Sequence, residues 1–202
     1  MINTINLNGQ TFNLTPDQVD KLQKALCING KRLSDVAIGD TFKVADMEFI
    51  KVTEDNGTVA AVAKCVLCSK KFDDNTNNFA KSSLLKYLQM EILPKIEAAV
   101  GTANVVEFET DLTSLDGLDD YGTMKSKISL PTFDFYRKHV KIFDKHKVGT
   151  WWWLSTPDST PTHEVSTLVR LVGGGGTLNS VNCSCNFGVL PFCIFKSSIF
   201  VY

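Results

Sequence analysis

The chain has 202 residues, 44% of them hydrophobic and 21% charged, with a formal net charge of −1. That is enough apolar material for one large domain, or one domain plus a small extension, and it excludes a disordered chain. The near-neutral balance gives no electrostatic reason to expect nucleic acid or an anionic membrane as partner.

The chain opens MINTINLNGQ, with no basic region followed by an apolar run, so cytoplasmic synthesis without a signal peptide is expected, with a phage virion as one destination. No apolar stretch is long enough to span a bilayer, so no membrane insertion is expected. Residues 1–32 form a unit of their own. Ile5, Leu7, Phe12 and Leu14 flank Asn8-Gly9, a strong hairpin signal. Thr15-Pro16-Asp17-Gln18 then supplies an N-cap, a proline at the first helical position and a capping box. Val19, Leu22, Ala25 and Leu26 give that helix an apolar face, and Asn29-Gly30 stops it. A hairpin plus one helix is too small to stand alone, so this unit must dock on the body or on a second copy in a homo-oligomer.

The rest, residues 33–202, mixes helix and strand. Asp40–Val44 and Met47–Val52 alternate apolar and polar residues, and Asn56-Gly57 turns into the apolar run Thr58–Leu67, predicting an antiparallel meander. Phe79–Val100 carries Leu84, Leu85, Leu88, Ile92, Leu93, Ile96 and Val100 at helical spacing, with Pro94 expected to kink or divide the helix. Leu112–Tyr121 has the composition of an acidic loop, and a second, shorter helix is predicted around Phe133–Phe143. The tail supplies strands at Trp151–Leu154, Leu168–Val172, Val189–Phe195 and Ser198–Val201.

All three tryptophans are adjacent, Trp151, Trp152 and Trp153. Neighbours on a strand point to opposite faces, so three adjacent indoles need cover on both sides of their sheet. Between this block and Phe187–Phe195 runs a polar stretch rich in Ser, Thr, Gly and Asn, the layout of a scaffold that displays a surface.

Three constellations could carry chemistry, and each has a plainer account. Cys65-Val66-Leu67-Cys68 has metal or redox spacing, but no second pair follows, so buried thiols are expected and no metal. Asp116, Asp119 and Asp120 lack the alternation of a calcium loop and fit a solvated acidic turn. His139 and His146 lie among Arg137, Lys138, Lys141, Lys145 and Lys147, which fits a solvated basic helix face.

The order of several landmarks resembles a phage and bacterial family of uncharacterised domains. Gly39-Asp40-Thr41-Phe42 and Phe49–Val52 are similar to its opening strands. Ser82–Leu88 resembles its Ser-Ser-Leu-Arg-Lys-Trp-Leu helix, and Ser129-Leu130-Pro131-Thr132 the lead into its short helix. Trp152–Pro157 resembles its Trp-Trp-Leu-Arg-Ser-Pro, and Gly188–Phe192 its closing Gly-Val-Arg-Pro block. The chain departs from the pattern at Leu190, where that family has arginine, at Leu168, and at the four glycines Gly173–Gly176. The resemblance implies an α+β, C-type-lectin-like fold, similar to formylglycine-generating enzymes and to the variable proteins of diversity-generating retroelements.

In such retroelements template adenines are randomised, so asparagine codons become others whose third base stays a pyrimidine. Such codons never encode Lys, Glu, Gln, Met or Trp. From Leu154 to Phe195 there is no Lys, Gln, Met or Trp, and Glu164 is the one glutamate. The resemblance thus implies a binding protein rather than an enzyme, with no cofactor and a variable segment at about residues 151–195. Its partner would be a protein or cell-surface ligand. The expected ligand-binding side chains are Asp158, His163, Ser166, Leu168, Arg170, Leu171, Val181, Cys183, Cys185, Phe187 and Leu190, gathered on one exposed face. Leu168, Phe187 and Leu190 would form an apolar patch there. The alternative is a formylglycine-generating type of oxidoreductase using Cys183 and Cys185.

Overall fold

Strands β1 (Thr4–Leu7) and β2 (Gln10–Asn13) pair antiparallel with Ile5 opposite Phe12. The computed structural model describes residues 4–7, 9–25 and 30–202. Asn8, Leu26, Cys27 and Asn29 lie outside the described residues, as do the side chains of Leu7 and Ala25. Helix α1 (Pro16–Ala25) opens with the capping box: the Thr15 N–H donates to Gln18 Oε1 at 2.9 Å, and the Gln18 N–H to Thr15 Oγ1 at 3.3 Å. Phe12 and Leu22 remain exposed, so the described part of this unit does not bury all of its apolar face.

After β3 (Lys31–Arg32), the meander forms as β4 (Thr41–Val44), β5 (Met47–Asp55) and β6 (Thr58–Ala63). Asn56 and Gly57 both take positive φ, which matches the twist of a two-residue hairpin. The apolar run does not continue as one strand to Leu67. It ends at Ala63, and Cys65 and Cys68 fall in the connection to β7 (Ser69–Lys71), where Cys65 is exposed and Cys68 half-buried.

The long helix is divided, as Pro94 requires. α2 (Ser83–Tyr87) is capped by Ser82 Oγ, which accepts from the Leu85 N–H at 3.0 Å. A π-helical turn, Leu88–Ile92, widens the spiral before α3 (Leu93–Val100). Proline brings no N–H and crowds the preceding turn, and the wider π spacing accommodates both. Leu84, Leu85, Leu88, Ile92 and Ile96 are buried.

The acidic region contains short strands that alternation did not reveal: β8 (Val105–Val106), β9 (Phe108–Asp111), β10 (Thr123–Ser126) and β11 (Ile128–Ser129). The second helix breaks at His139 into α4 (Phe133–Lys138) and α5 (Val140–Lys145). The His139 ring is half-buried and lies 4.8 Å from that of Phe135 rather than on a solvated face, and burial pushes its pKa down. His146 Nε2 sits 2.7 Å from the Gly39 carbonyl. The tail gives β12 (Trp152–Pro157), β13 (Leu168–Val172), β14 (Leu178–Asn182), β15 (Asn186–Gly188), β16 (Phe192–Lys196) and β17 (Phe200–Val201).

These strands build two principal sheets. One runs β11-β16-β6-β5-β4, with β8 also paired to β16, and its core is the ring cluster of Phe42, Phe49 and Phe195, with centroids 5.5–6.0 Å apart. The other runs β14-β13-β12-β15-β7 and is antiparallel except for the β12–β15 pair. Trp152 and Trp153 are both buried there, on opposite faces. Trp152 stacks on Phe143 at 5.7 Å and meets Tyr136 edge-on, so α4 and α5 cover its side. Trp153 packs against Phe72 and Phe187 and donates from Nε1 to the Lys70 carbonyl at 2.9 Å. Trp151 is half-buried at the margin.

The four-glycine turn has a steric reason. A Cβ on Gly174 would lie 2.6 Å from the Gly149 carbonyl carbon, and Gly176 has φ +84. A Cβ on Gly173 would likewise lie 2.6 Å from Thr177 Oγ1, whereas Gly175 meets nothing within 4 Å.

Candidate functional site

Strand β12 ends in a bulged stretch between Trp153 and Pro157, and the loop that follows returns through Thr160 to β13. Asp158 stands at the mouth of this loop, its N–H donating to the Leu168 carbonyl at 2.9 Å. Arg170, on β13, sends Nη1 to Asp158 Oδ1 at 3.3 Å and to Ser180 Oγ at 2.8 Å, and Ser180 Oγ also donates to Asp158. The guanidinium carbon lies 5.9 Å from the centre of the Phe133 ring, and Arg170 Nε has no hydrogen-bond partner among the described residues. The Arg170 side chain is 14% exposed, so the ion pair is largely withdrawn from water.

Beside it, the acidic loop is fastened to the loop after β12. Asp116 accepts from Ser114 Oγ, from Ser159 Oγ at 2.6 Å and from His163 Nδ1 at 2.8 Å. Asp120 accepts from Thr160 Oγ1 at 2.7 Å and from the Thr162 N–H and hydroxyl. These bonds hold both carboxyls below the usual carboxylate range, led by Ser114 for Asp116 and Thr160 for Asp120. Asp116 and Asp120 therefore do more than solvate a turn: they staple two loops. Beneath them the fully buried Asn77 accepts from the Tyr121 hydroxyl at 2.6 Å and donates to the Ser159 and Leu168 carbonyls at 2.9 Å each.

A cleft of about 280 Å³ opens between this acidic loop and α4. Phe133, Arg137, Asp111, Ser114, Thr132 and Thr156 line it. Arg137 pairs with Asp134 at 2.9 Å and lies over Phe133 at 5.5 Å, so Phe133 carries a guanidinium from each of two elements.

The eleven side chains expected to form one surface do not. On β13 the period-two alternation puts Leu168 and Arg170 on the Trp152 face and Leu171 on the Trp153 face. Val181, opposite Val169, and Phe187, packed on Trp153, share the face of Leu171. Three of the eleven are core: Leu171, Cys183 and Leu190 are at most 1% exposed. Cys183 is locked by backbone bonds to Thr167, Phe72 and Asp73, which leaves its thiol inside. Leu190 lies fully buried in the main hydrophobic core, so the proposed patch of Leu168, Phe187 and Leu190 does not exist. Asp158, Ser166, Leu168, Arg170, Val181 and Phe187 are half-buried, and His163 and Cys185 are exposed.

The structure thus brings Asp158, His163 and Arg170 together with Asp116, Phe133 and Arg137, which sequence reasoning did not assign. A run of Ser and Thr at 155–162 facing an acidic loop was the available signal, because hydroxyls are natural donors to carboxylates. Among the described residues no group of three or more His, Cys, Asp or Glu is placed to hold a metal ion. Burial pushes the Cys183 and Cys193 thiols up in pKa, away from the reactive thiolate.

No family model matches this chain, and no curated protein or solved structure matches it either.

Proposed function

We propose that this chain is a ligand-binding protein on a C-type-lectin-like scaffold, and that its recognition surface surrounds the Phe133 cleft. One observation carries this reading: Asp158, His163 and Arg170, from the segment lacking Lys, Gln, Met and Trp, converge with the stapled acidic loop beside an open cleft. Ligand clefts combine an aromatic wall with a few fixed polar groups, and Phe133, Arg137 and the neighbouring hydroxyls supply that chemistry. The rigid support beneath, Trp152, Trp153 and Asn77, is what a display scaffold needs so that its loops can vary. The ligand class that fits is a protein or cell-surface group bound by shape and polar contacts, with diversification by a retroelement as the source of the biased composition. A cysteine-dependent oxidoreductase is less favoured, since Cys183 is buried with a raised pKa while Cys185 faces solvent.

The test is a display library randomised at His163, Ser166, Leu168 and Cys185, with Asp158 kept as the partner of Arg170, and selected against a panel of unrelated proteins and glycans. Most members are expected to keep the parental melting transition, and binders should emerge. A library whose members mostly fail to fold would overturn the display reading.

A further inference from the structure

A second groove lies on the far side of Asp111 and Thr132 from the cleft just described. It has a volume of about 310 Å³, within the range of roughly 300–1,000 Å³ usual for ligand sites. Its floor and one wall are aromatic: Phe192 meets Phe108 edge-on at 5.1 Å and Phe135 at 4.8 Å. Phe108 and Phe135 are half-buried, so their ring surfaces are only partly covered by the chain itself.

The other wall is a strand edge. Four consecutive residues of β9, Phe108, Glu109, Thr110 and Asp111, all line the groove. Successive side chains of a strand point to opposite faces, so a cavity touching all four lies along the strand's edge rather than over a face. Among the described residues β9 pairs only with β10. The ladder register sets which backbone groups are free. The Leu112 N–H donates to the Gly122 carbonyl, which makes the even-numbered positions Thr110 and Phe108 the hydrogen-bonded pairs with Met124 and Ser126. The N–H and C=O groups of Glu109 and Asp111 therefore point away from β10, toward the groove. The opposing wall cannot do the same: Pro131 has no N–H, and its carbonyl already accepts from the Ser155 N–H at 3.0 Å.

The two charged residues that line the groove, Glu109 and Asp111, are both acidic and both exposed. We propose that this groove binds a short extended peptide that adds to the free edge of β9, placing apolar side chains on Phe108, Phe135 and Phe192 and basic ones beside Glu109 and Asp111. An extended chain alternates its side chains just as the groove alternates ring and rim. Edge addition supplies the backbone bonds, while the aromatic floor and acidic rim select the sequence. The groove shares Asp111 and Thr132 with the Phe133 cleft, but the peptide proposal does not depend on the recognition reading.

Fluorescence anisotropy with the intact chain and a labelled ten-residue peptide of alternating leucine and lysine tests this. Three comparisons go with it: a leucine–glutamate peptide, the leucine–lysine peptide N-methylated at alternate residues, and the apolar dye ANS as competitor. We expect the leucine–lysine peptide to bind at least tenfold tighter than either of the other two. Glu109→Lys, at an exposed side chain, should weaken it about tenfold, and Phe108→Ala should weaken it further, with melting curves confirming that both variants are folded. Equal binding of the leucine–glutamate peptide, or of the N-methylated peptide, would overturn the proposal. So would Kd values that neither substitution changes, or binding of ANS at this groove with no peptide bound.

Discussion

Truncating Trp153 should separate the frame of this protein from its surface. The indole is fully buried, packs edge-on against Phe72 and Phe187, and donates to the Lys70 carbonyl. Removing a buried tryptophan side chain costs about 3–5 kcal/mol. That is a large share of the roughly 5–15 kcal/mol that holds a domain folded. For a chain of this size each kcal/mol moves Tm by about 2–4 °C, so Trp153→Ala should lower it by roughly 6–20 °C. His163→Ala and Cys185→Ser, both at exposed positions, should each stay within about 0.5 kcal/mol. Phe187 belongs with the frame, because its ring lies 5.1 Å from Trp153. A double-mutant cycle on Trp153 and Phe187 should return a coupling of about 0.5–1.5 kcal/mol. The assay is thermal melting followed by tryptophan fluorescence and circular dichroism. A Trp153→Ala variant melting within two or three degrees of the parent (about 1 kcal/mol), or a vanishing coupling, would refute the assignment of this side chain to the core.

Three further outcomes follow from the same contacts. Asn77→Ala leaves the Tyr121 hydroxyl and the Ser159 carbonyl without this partner, while the Leu168 carbonyl keeps the Asp158 N–H; the loss should cost about 1–3 kcal/mol in urea unfolding and loosen the loop after β12. Iodoacetamide should modify Cys65 and Cys185 in the folded protein and spare Cys183 and Cys193, which burial holds inside and protonated; peptide mapping reads the pattern. Asp116 and Asp120 have folded pKa values below their unfolded ones, so the stability they add is complete above about pH 4–5 and is lost as pH falls below that. The drop in Tm between pH 6 and pH 3 should therefore be smaller in an Asp116→Asn, Asp120→Asn double variant than in the parent.

Local signals carried much of the fold because local chemistry determines it. The capping box at Thr15 and Gln18, the Asn56-Gly57 turn, the helical spacing from Leu84 to Ile96 and the break at Pro94 each depend on residues a few positions apart. Strand β13 coincides with Leu168–Val172 as predicted, since Val169 and Leu171 alternate with Leu168 and Arg170. The short strands β8 to β11 were not legible, because two to four residues give no period to count, and their pairing is set by partners far away in sequence. The site was legible only in part for a similar reason. Asp116 and Asp120 are ordinary loop acids until Ser159, Thr160 and Thr162 arrive from about 40 residues further on. Leu171, Cys183 and Leu190 face the core although their segment reads as a surface, because composition says which residues a segment holds, not which way each one faces.

That last distinction limits how a surface can be built on this sheet. A strand with one face in the core can vary only every second residue, since shifting by one exchanges outside for inside. On β13 this leaves Leu168 and Arg170 on one side and seals Val169 and Leu171 on the other. Arg170 is itself tied to Asp158 and Ser180, so even the outward positions of the strand are partly structural. Freedom to vary is then concentrated in the loops, at His163 and Ser166 and in the turn bearing Cys185. There the backbone is held by groups that do not change with the side chain: the Asn77 amide, the Asp158 N–H on the Leu168 carbonyl and the Cys185 N–H on the Asn182 carbonyl. The buried Asn77 and the Asp116 and Asp120 staples are the anchors of the loop after β12, and they hold it through Ser159, Thr160 and Thr162.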